Sequence, residues 1–209
     1  YTGPQSAANP LIEGLRRLEY RGYDSAGIAL GTANKLFVAK KAGKLANLEN
    51  ELNSVPEVHS GIGHTRWATH GGPTDRNAHP HLDNEGKLAV IHNGIIENYS
   101  ELKAELQSKG HQFHSDTDTE SVAHLLSDLR KEHDGDLTIA MREAVKRLRG
   151  SFTLLAVHAD KPELIVGVRR NSPLVVGLGD GENFMASDVA AFIEYTKRAV
   201  ELGQDEVVT

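Results

Sequence analysis

The sequence predicts an α+β protein in which sheets are layered and helices lie outside them. Three observations lead there. Helical patterning is bunched into one block, from about Asn98 to Gly150, instead of alternating with strands. The last quarter is a series of short strand-like runs separated by turn signals. Two early runs flank Asn34-Lys35 closely enough to form a hairpin. Alternating parallel βαβ units fit this order less well.

Taken in order, Tyr1 to Gln5 is a short polar entry, and Ser6 is placed to cap a helix running to about Tyr20. Leu11, Ile12, Leu15 and Leu18 share one face of it, and Pro10 requires a place in the first turn or a start at Asn9. Ala26–Leu30 and Leu36–Ala39 are strands, and Lys44–Leu52 is a short helix. A polar loop from Gly72 to Asn84 precedes a strand over Lys87–His92. Asn98 with Glu101, and Thr117 with Glu120, have capping-box spacing at the starts of two helices, which puts Asp118 at the first position of the second. An Asp136 cap starts a third helix, ending at Gly150. Strands are predicted over Phe152–His158, Glu163–Val168, Leu174–Leu178 and Asn183–Ser187, and Ala190–Tyr195 is a strand end or a short helix.

Composition narrows the function classes. With 39% hydrophobic and 25% charged residues, the 209-residue chain matches ordinary globular proteins, with enough length for a real core. A formal net charge of −6 argues against a nucleic-acid partner. No apolar run reaches the roughly 18–20 residues that span a bilayer, and no signal sequence opens the chain. The expected location is the cytoplasm. The absence of cysteine removes disulfides and thiolate metal sites from the chain as printed. The chain opens without methionine and closes on Glu206–Thr209, which reads as the beginning of a strand, so a piece of a longer protein is expected.

The candidate site centres on Gly63–Gly71, which holds the only tryptophan, Trp67, with Arg66, two threonines and two histidines. It fits neither core alternation nor an ordinary surface loop. After it, Leu88–Ile91 stops at His92-Asn93-Gly94. The first stretch offers a fixed cation and hydroxyls; the second offers an amide and a backbone N–H at a glycine turn. Together they suit a small polar ligand bearing an anion. Each has an ordinary explanation too: Arg66 as a surface ion-pair partner, Asp118 as first-turn helix charge, Asn93-Gly94 as a turn after a buried strand.

Other motifs carry less. Gly177-Leu178-Gly179-Asp180-Gly181 has the wrong glycine spacing for a dinucleotide fingerprint and reads as a hairpin turn. Histidines 64, 70, 79, 81 and 92 lack recognised metal-ligand spacing and read as structural hydrogen-bonding groups. Asp116-Thr117-Asp118 lacks the glycine and glutamate of a calcium loop. Asn98-Tyr99-Ser100 is a glycosylation sequon without a secretory context.

Five stretches occur in a telling order: Leu15–Gly27, Gly63–Gly71, Asn77-Ala78-His79-Pro80-His81, His92–Asn98 and Asp116–Glu120, followed by Ser172-Pro173-Leu174 and Ala186-Ser187-Asp188. Together they resemble the glutaminase domains of the glutamine–fructose-6-phosphate aminotransferases (glucosamine-6-phosphate synthases), over nearly the whole chain. The wording of Tyr20–Gly27 and Thr65–Gly71 separates them from sibling amidotransferases. The resemblance implies one class II, N-terminal-nucleophile domain over residues 1–209, with a four-layer αββα sandwich of mainly antiparallel sheets. It implies hydrolysis of L-glutamine to L-glutamate and ammonia, with the ammonia passed to fructose 6-phosphate by sugar-phosphate isomerase domains of the same polypeptide, which is typically homodimeric. It implies no cofactor and no metal.

By position, the resemblance gives Arg66 the glutamine α-carboxylate and Asp118 the α-amine. Thr69 and His70 line the same pocket, Asn93 and the Gly94 N–H form the oxyanion hole, Arg21 and Gly22 position the catalytic N-terminus, and Trp67 belongs to a closing loop. In that family the nucleophile is an N-terminal cysteine activated by its own α-amine, whose ordinary pKa is about 8. Tyr1 falls a few residues after that start; its neutral phenol is a poor nucleophile and is not expected at the pocket. A chain beginning at Tyr1 is expected to be inactive and to leave a neighbouring strand edge unpaired. Two rivals are a non-catalytic amino-acid-binding module and the glutaminase domain of a sibling class II enzyme.

Overall fold

A computed structural model of the chain describes residues 1–68 and 71–209. The first helix, α1 (Ala8–Leu18), begins after Ala7 with no side-chain cap, so Ser6 does not play the part expected of it. Pro10 lies in the first turn, where a missing N–H costs nothing. A 3₁₀ turn, Glu19–Arg21, leads to the hairpin β1 (Ser25–Thr32) and β2 (Lys35–Ala42), which pair antiparallel across a turn where Asn34 takes a positive φ of 60°. After α2 (Leu45–Glu51), Gly61–Arg66 forms strand β3 on the other side of β1. That strand was not expected. The first half of the supposed pocket stretch is sheet, with Arg66 at its end.

The short β4 (His81–Leu82) and the long β5 (Leu88–Ile96) follow. β5 runs through Asn93-Gly94, where a turn was expected, and both residues pair with β6, opposite Thr153 and Phe152. Neither capping box before the next helices forms as read. Ahead of α3 (Tyr99–Ser108), the Asn98 side chain instead binds the Arg147 carbonyl and the Arg149 N–H. Ahead of α4 (Thr119–Glu132), the Thr117 hydroxyl meets His81, while Glu120 reaches back to the N–H groups of His114 and Ser115. Asp136 does cap α5 (Leu137–Arg147), accepting from the Ile139 N–H at 2.9 Å.

The remaining strands are β6 (Gly150–His158), β7 (Lys161–Arg170), β8 (Val175–Leu178), β9 (Asn183–Ala186), β10 (Ala199–Glu201) and β11 (Val207–Val208). Ala190–Tyr195 is not a strand; Val189–Ala191 is a 3₁₀ turn started by the Asp188 carboxylate. Three antiparallel sheets result: β2-β1-β3, β10-β8-β9 and β11-β7-β6-β5-β4. Thr2 bridges both Ser60, beside β3, and Asn183 of β9, so the two smaller sheets lie edge to edge in one layer.

Three apolar clusters separate four layers. Ile28, Leu30 and Phe184 pack outward against Leu15 of α1 and Leu45 and Leu48 of α2. Ala29 and Ile62 pack inward against Ile91, Leu155 and Ile165 of the large sheet. The far face of that sheet, with Val90, Leu154 and Val166, is covered by α3, α4 and α5. Val122, Leu125, Leu126 and Leu129 recur on one face of α4, and each wholly buried leucine contributes about 2 kcal/mol. The αββα order implied by the resemblance is therefore the order found. No helix among the described residues is long and apolar enough to cross a membrane.

Candidate active site

A cavity of about 430 Å³ opens where the two sheet layers meet the start of α4. Its wall takes Ile62–Arg66 of β3 with the following Trp67, Ile91–Ile95 from β5, Thr117–Thr119, one face of α1 with Leu11, Gly14, Leu15 and Leu18, and Phe184–Ala186 from β9. β3 and β9 are the outermost strands of their sheets, so two strand edges border this space. Arg21, Arg66, Trp67, Asn93, Gly94 and Asp118 all line it, although they are spread across nearly a hundred residues of sequence.

Arg66 is only 4% exposed, which rules out an ordinary surface ion pair. Its guanidinium donates to the carbonyls of Gly71 at 3.2 Å and Gly72 at 3.3 Å. Burial lowers its pKa, and the charges of Asp118 and Asp24 act against that shift. Asp118 is equally buried, just ahead of α4; its Oδ2 accepts from the Ile96 N–H at 2.8 Å, and Oδ1 lies 3.8 Å from His92 Nδ1. One cation and one anion, both largely removed from water, thus face the same small space.

Asn93 and Gly94 sit between them on β5. Gly94 has φ of +115°, and a Cβ there would lie 2.0 Å from the Ser151 carbonyl oxygen, so only glycine fits. Gly22, expected with Arg21 to help position the catalytic N-terminus, backs the cavity wall behind Arg66. A Cβ on Gly22 would come within 2.9 Å of the Arg66 backbone, so the glycine lets the Glu19–Arg21 turn press against the end of β3. Arg21 pairs with Asp188 at 3.6 Å at the rim. Trp67 is 59% exposed and meets Tyr23 edge-on at 5.4 Å, while the next N–H, of Ala68, donates to Asp24 Oδ2 at 2.9 Å. Thr69 and His70 lie outside the described residues.

Tyr1 does line the cavity, contrary to expectation. Its phenol donates to Glu182 at 2.9 Å, and burial with that neighbour pushes its pKa to about 12, so it stays a neutral, poor nucleophile. Sequence reasoning also missed three contributors. The α1 face had been assigned to core packing alone, Asp24 carried no signal of its own, and His64 was counted among structural histidines. His64 Nε2 lies 2.7 Å from Asn93 Oδ1. Behind it, His79 and His92 share the Thr119 hydroxyl at 2.9 and 3.0 Å, and His81 meets Thr117 at 3.0 Å. Burial lowers the pKa of His64 to about 4 and of His81 to about 3, and depresses that of His79 strongly, so these rings are neutral at pH 7.

The chain has known relatives. The glutamine–fructose-6-phosphate aminotransferase (isomerizing) of Streptomyces coelicolor is 62% identical over 210 residues, covering all of this chain and 34% of that relative. The enzyme of the same name from Thermus thermophilus is 54% identical, again over the whole chain and 34% of the relative. The chain thus spans about a third of the length of the curated relatives it matches. Among solved structures, the Bacillus subtilis glutamine phosphoribosylpyrophosphate amidotransferase complexed with ADP and GMP superposes with a TM-score of 0.80 at 26% identity, over 99% of this chain and 45% of that one. The model of the glutamine amidotransferase domain matches residues 64–194, a stretch that carries His64 and Arg66, the whole of β5 and the Asp118 corner. With that match over more than half its length, the chain belongs to the glutamine amidotransferase domain family.

Proposed function

We propose that this chain is the glutamine-hydrolysing domain of a glutamine–fructose-6-phosphate aminotransferase. The observation that carries this reading is the pairing of buried Arg66 and Asp118 across one cavity that Asn93 and Gly94 also line. Glutamine is a zwitterion at its α-carbon and neutral at its side-chain amide. Arg66 takes the α-carboxylate and Asp118 the α-ammonium, each by a charge-assisted contact. The side-chain carbonyl then meets the Asn93 amide and the Gly94 N–H, donors for the charge that grows on oxygen as the carbonyl is attacked. Thr69 and His70 belong to the same pocket in this reading. Arg21 at the rim, and Gly22 by seating its turn, help place the nucleophile.

The nucleophile is a cysteine thiol supplied from ahead of Tyr1. A strand there would extend the Tyr1–Thr2 pairing between the edges of β3 and β9, directly along the cavity. Its free α-amine takes the thiol proton as sulfur bonds to the amide carbon. The oxyanion collapses, the C–N bond breaks, and the amine's proton leaves with nitrogen as ammonia. Water then adds to the γ-glutamyl thioester, releasing glutamate and restoring the thiol. Ammonia passes to sugar-phosphate isomerase domains of the same polypeptide, which aminate fructose 6-phosphate to glucosamine 6-phosphate. The names of the relatives and the third of their length that this chain spans support that division. A cytoplasmic homodimer is part of the same reading.

The test uses the full-length protein and a thiol-trapping glutamine analogue. The expected result is glutamate release from glutamine, lost in step with covalent labelling of one cysteine ahead of Tyr1. Glutamine binding without hydrolysis would establish the non-catalytic module instead. Ammonia transfer to an acceptor other than fructose 6-phosphate would establish a sibling enzyme.

A further inference from the structure

We propose that His64 is a positioning residue that holds the Asn93 side chain in the one orientation able to serve an oxyanion; this rests on the glutamine-hydrolysing reading above. A side-chain amide has two ends, an oxygen that accepts and a nitrogen that donates. Asn93 can offer N–H to the cavity only if its oxygen is turned elsewhere, and a rotation of 180° would reverse the site's polarity. His64 Nε2 lies 2.7 Å from Asn93 Oδ1. An amide oxygen only accepts, so Nε2 must carry the hydrogen and donate it. The Asn93 Nδ2 hydrogens then lie on the side of the amide away from His64, and they make no hydrogen bond to any other described residue.

The ring itself has little freedom. His64 is 7% exposed, comes from β3 in the facing layer, and stacks on His79 with centroids 4.3 Å apart. His79 is fixed in turn by Thr119 at 2.9 Å. Burial above all, with the charges of His92 and Arg66, opposes a positive charge on His64 and outweighs the Asn93 side chain and the His92 backbone, which favour one. The imidazole therefore sits as a neutral Nε2–H donor, and the nitrogen nearest the site is already committed. A histidine so placed is unsuited to take a proton from the nucleophile. Its contribution is to the direction of another residue's dipole.

The distinguishing feature is where a loss should show. Removing the donor leaves Arg66 and Asp118 in place, so glutamine should still bind while the Asn93 amide samples both orientations. In the full-length protein, His64→Met is expected to lower kcat for glutamine hydrolysis by about 10- to 100-fold, part of the 10²–10³ that a lost oxyanion donor costs, with KM changed less than threefold. His64→Gln, whose amide N–H can reach the same point, is expected to recover most of that loss. Long-range ¹H–¹⁵N correlation on ¹⁵N-histidine-labelled full-length protein should show His64 neutral with its hydrogen on Nε2. An unchanged kcat in His64→Met, equal damage in both variants, or a hydrogen on Nδ1 would each overturn the proposal. If the wild-type protein hydrolyses no glutamine, the functional reading fails, and the His64 tautomer still decides whether this ring orients Asn93. If His64→Met does not fold, His64→Gln and the tautomer decide it.

Discussion

Arg66 shows how much a single side chain is asked to do. Its planar fork grips two successive carbonyls, Gly71 and Gly72, and still faces the cavity beside Trp67. A lysine offers one rounded ammonium and cannot reproduce a planar, multi-donor grip. Arg66→Lys and Arg66→Gln in the full-length enzyme should therefore both raise the KM for glutamine, by about 10- to 100-fold, matching the 1.5–3 kcal/mol of a charged hydrogen bond. Steady-state kinetics check this, and a KM within twofold of wild type in both variants would remove Arg66 from the binding role. At this scale the sequence was informative wherever residue type alone is unusual. Arg66 and Asn93 could be singled out because a cation and an amide beside glycines have few uses together, whereas Asp118 read as helix charge until the family resemblance gave it a role. His64 and Asp24 could not, because their partners lie 29 and 44 residues away and only folding brings them together.

At the scale of elements, the informative failure is β5. Asn93-Gly94 has the composition of a turn, and a turn was expected there, yet the strand continues to Ile96 in register with β6. The local preference of Asn-Gly for positive φ is met by Gly94 alone at +115°, and the surrounding ladder absorbs it. Caps failed similarly everywhere but at Asp136: Asn98 has the right chemistry, but carbonyl and N–H groups of Arg147 and Arg149 claim its side chain first. Alternation and periodicity survived because many residues vote for them, whereas a turn or cap rests on one or two. Gly94 also gives a stability prediction. Gly94→Ala must place a Cβ 2.0 Å from Ser151 O in a backbone region that L residues avoid, so β5 and β6 have to separate locally. The expected cost is about 3 kcal/mol or more, a fall in Tm of roughly 6–12 °C for a domain of this size. Gly86→Ala, with φ of +67° and open space around its Cβ position, should cost only about 1 kcal/mol. Calorimetry on the two variants separates steric collision from simple φ strain, and equal shifts would refute the collision.

For the whole molecule, the layered order was legible because α3, α4 and α5 are contiguous in sequence and must cover one face together. The meeting of the two small sheets at Thr2 was not, since it depends on contacts between the start of the chain, Ser60 and Asn183. The same layering buries the histidines, and that has a consequence for stability. His64 and His81 are held neutral in the fold, with pKa values near 4 and 3, against about 6.5 in an unfolded chain. As pH falls below about 6.5, the unfolded state gains protons that the folded state refuses, so folding loses free energy until the folded pKa is reached. At 1.36 kcal/mol per unit, His64 alone accounts for about 3 kcal/mol between pH 6.5 and 4. Glu120 adds a second loss at lower pH. Burial opposes its ionisation, but the His124 ring 3.6 Å away and hydrogen bonds from the Ser115 hydroxyl and the His114 and Ser115 N–H groups outweigh that and hold its pKa to about 2, so its stabilisation disappears as pH drops from about 4.5 towards 2. Urea midpoints should therefore fall steadily from pH 7 to 4, ahead of the range in which exposed carboxylates titrate. His81→Gln, whose amide N–H can still meet the Thr117 hydroxyl, should shallow that slope, because one refused proton has been removed. A flat profile between pH 6.5 and 4.5 in the wild-type protein would mean that these imidazoles are not buried as neutral groups, and the positioning of Asn93 by His64 would lose its physical basis with them.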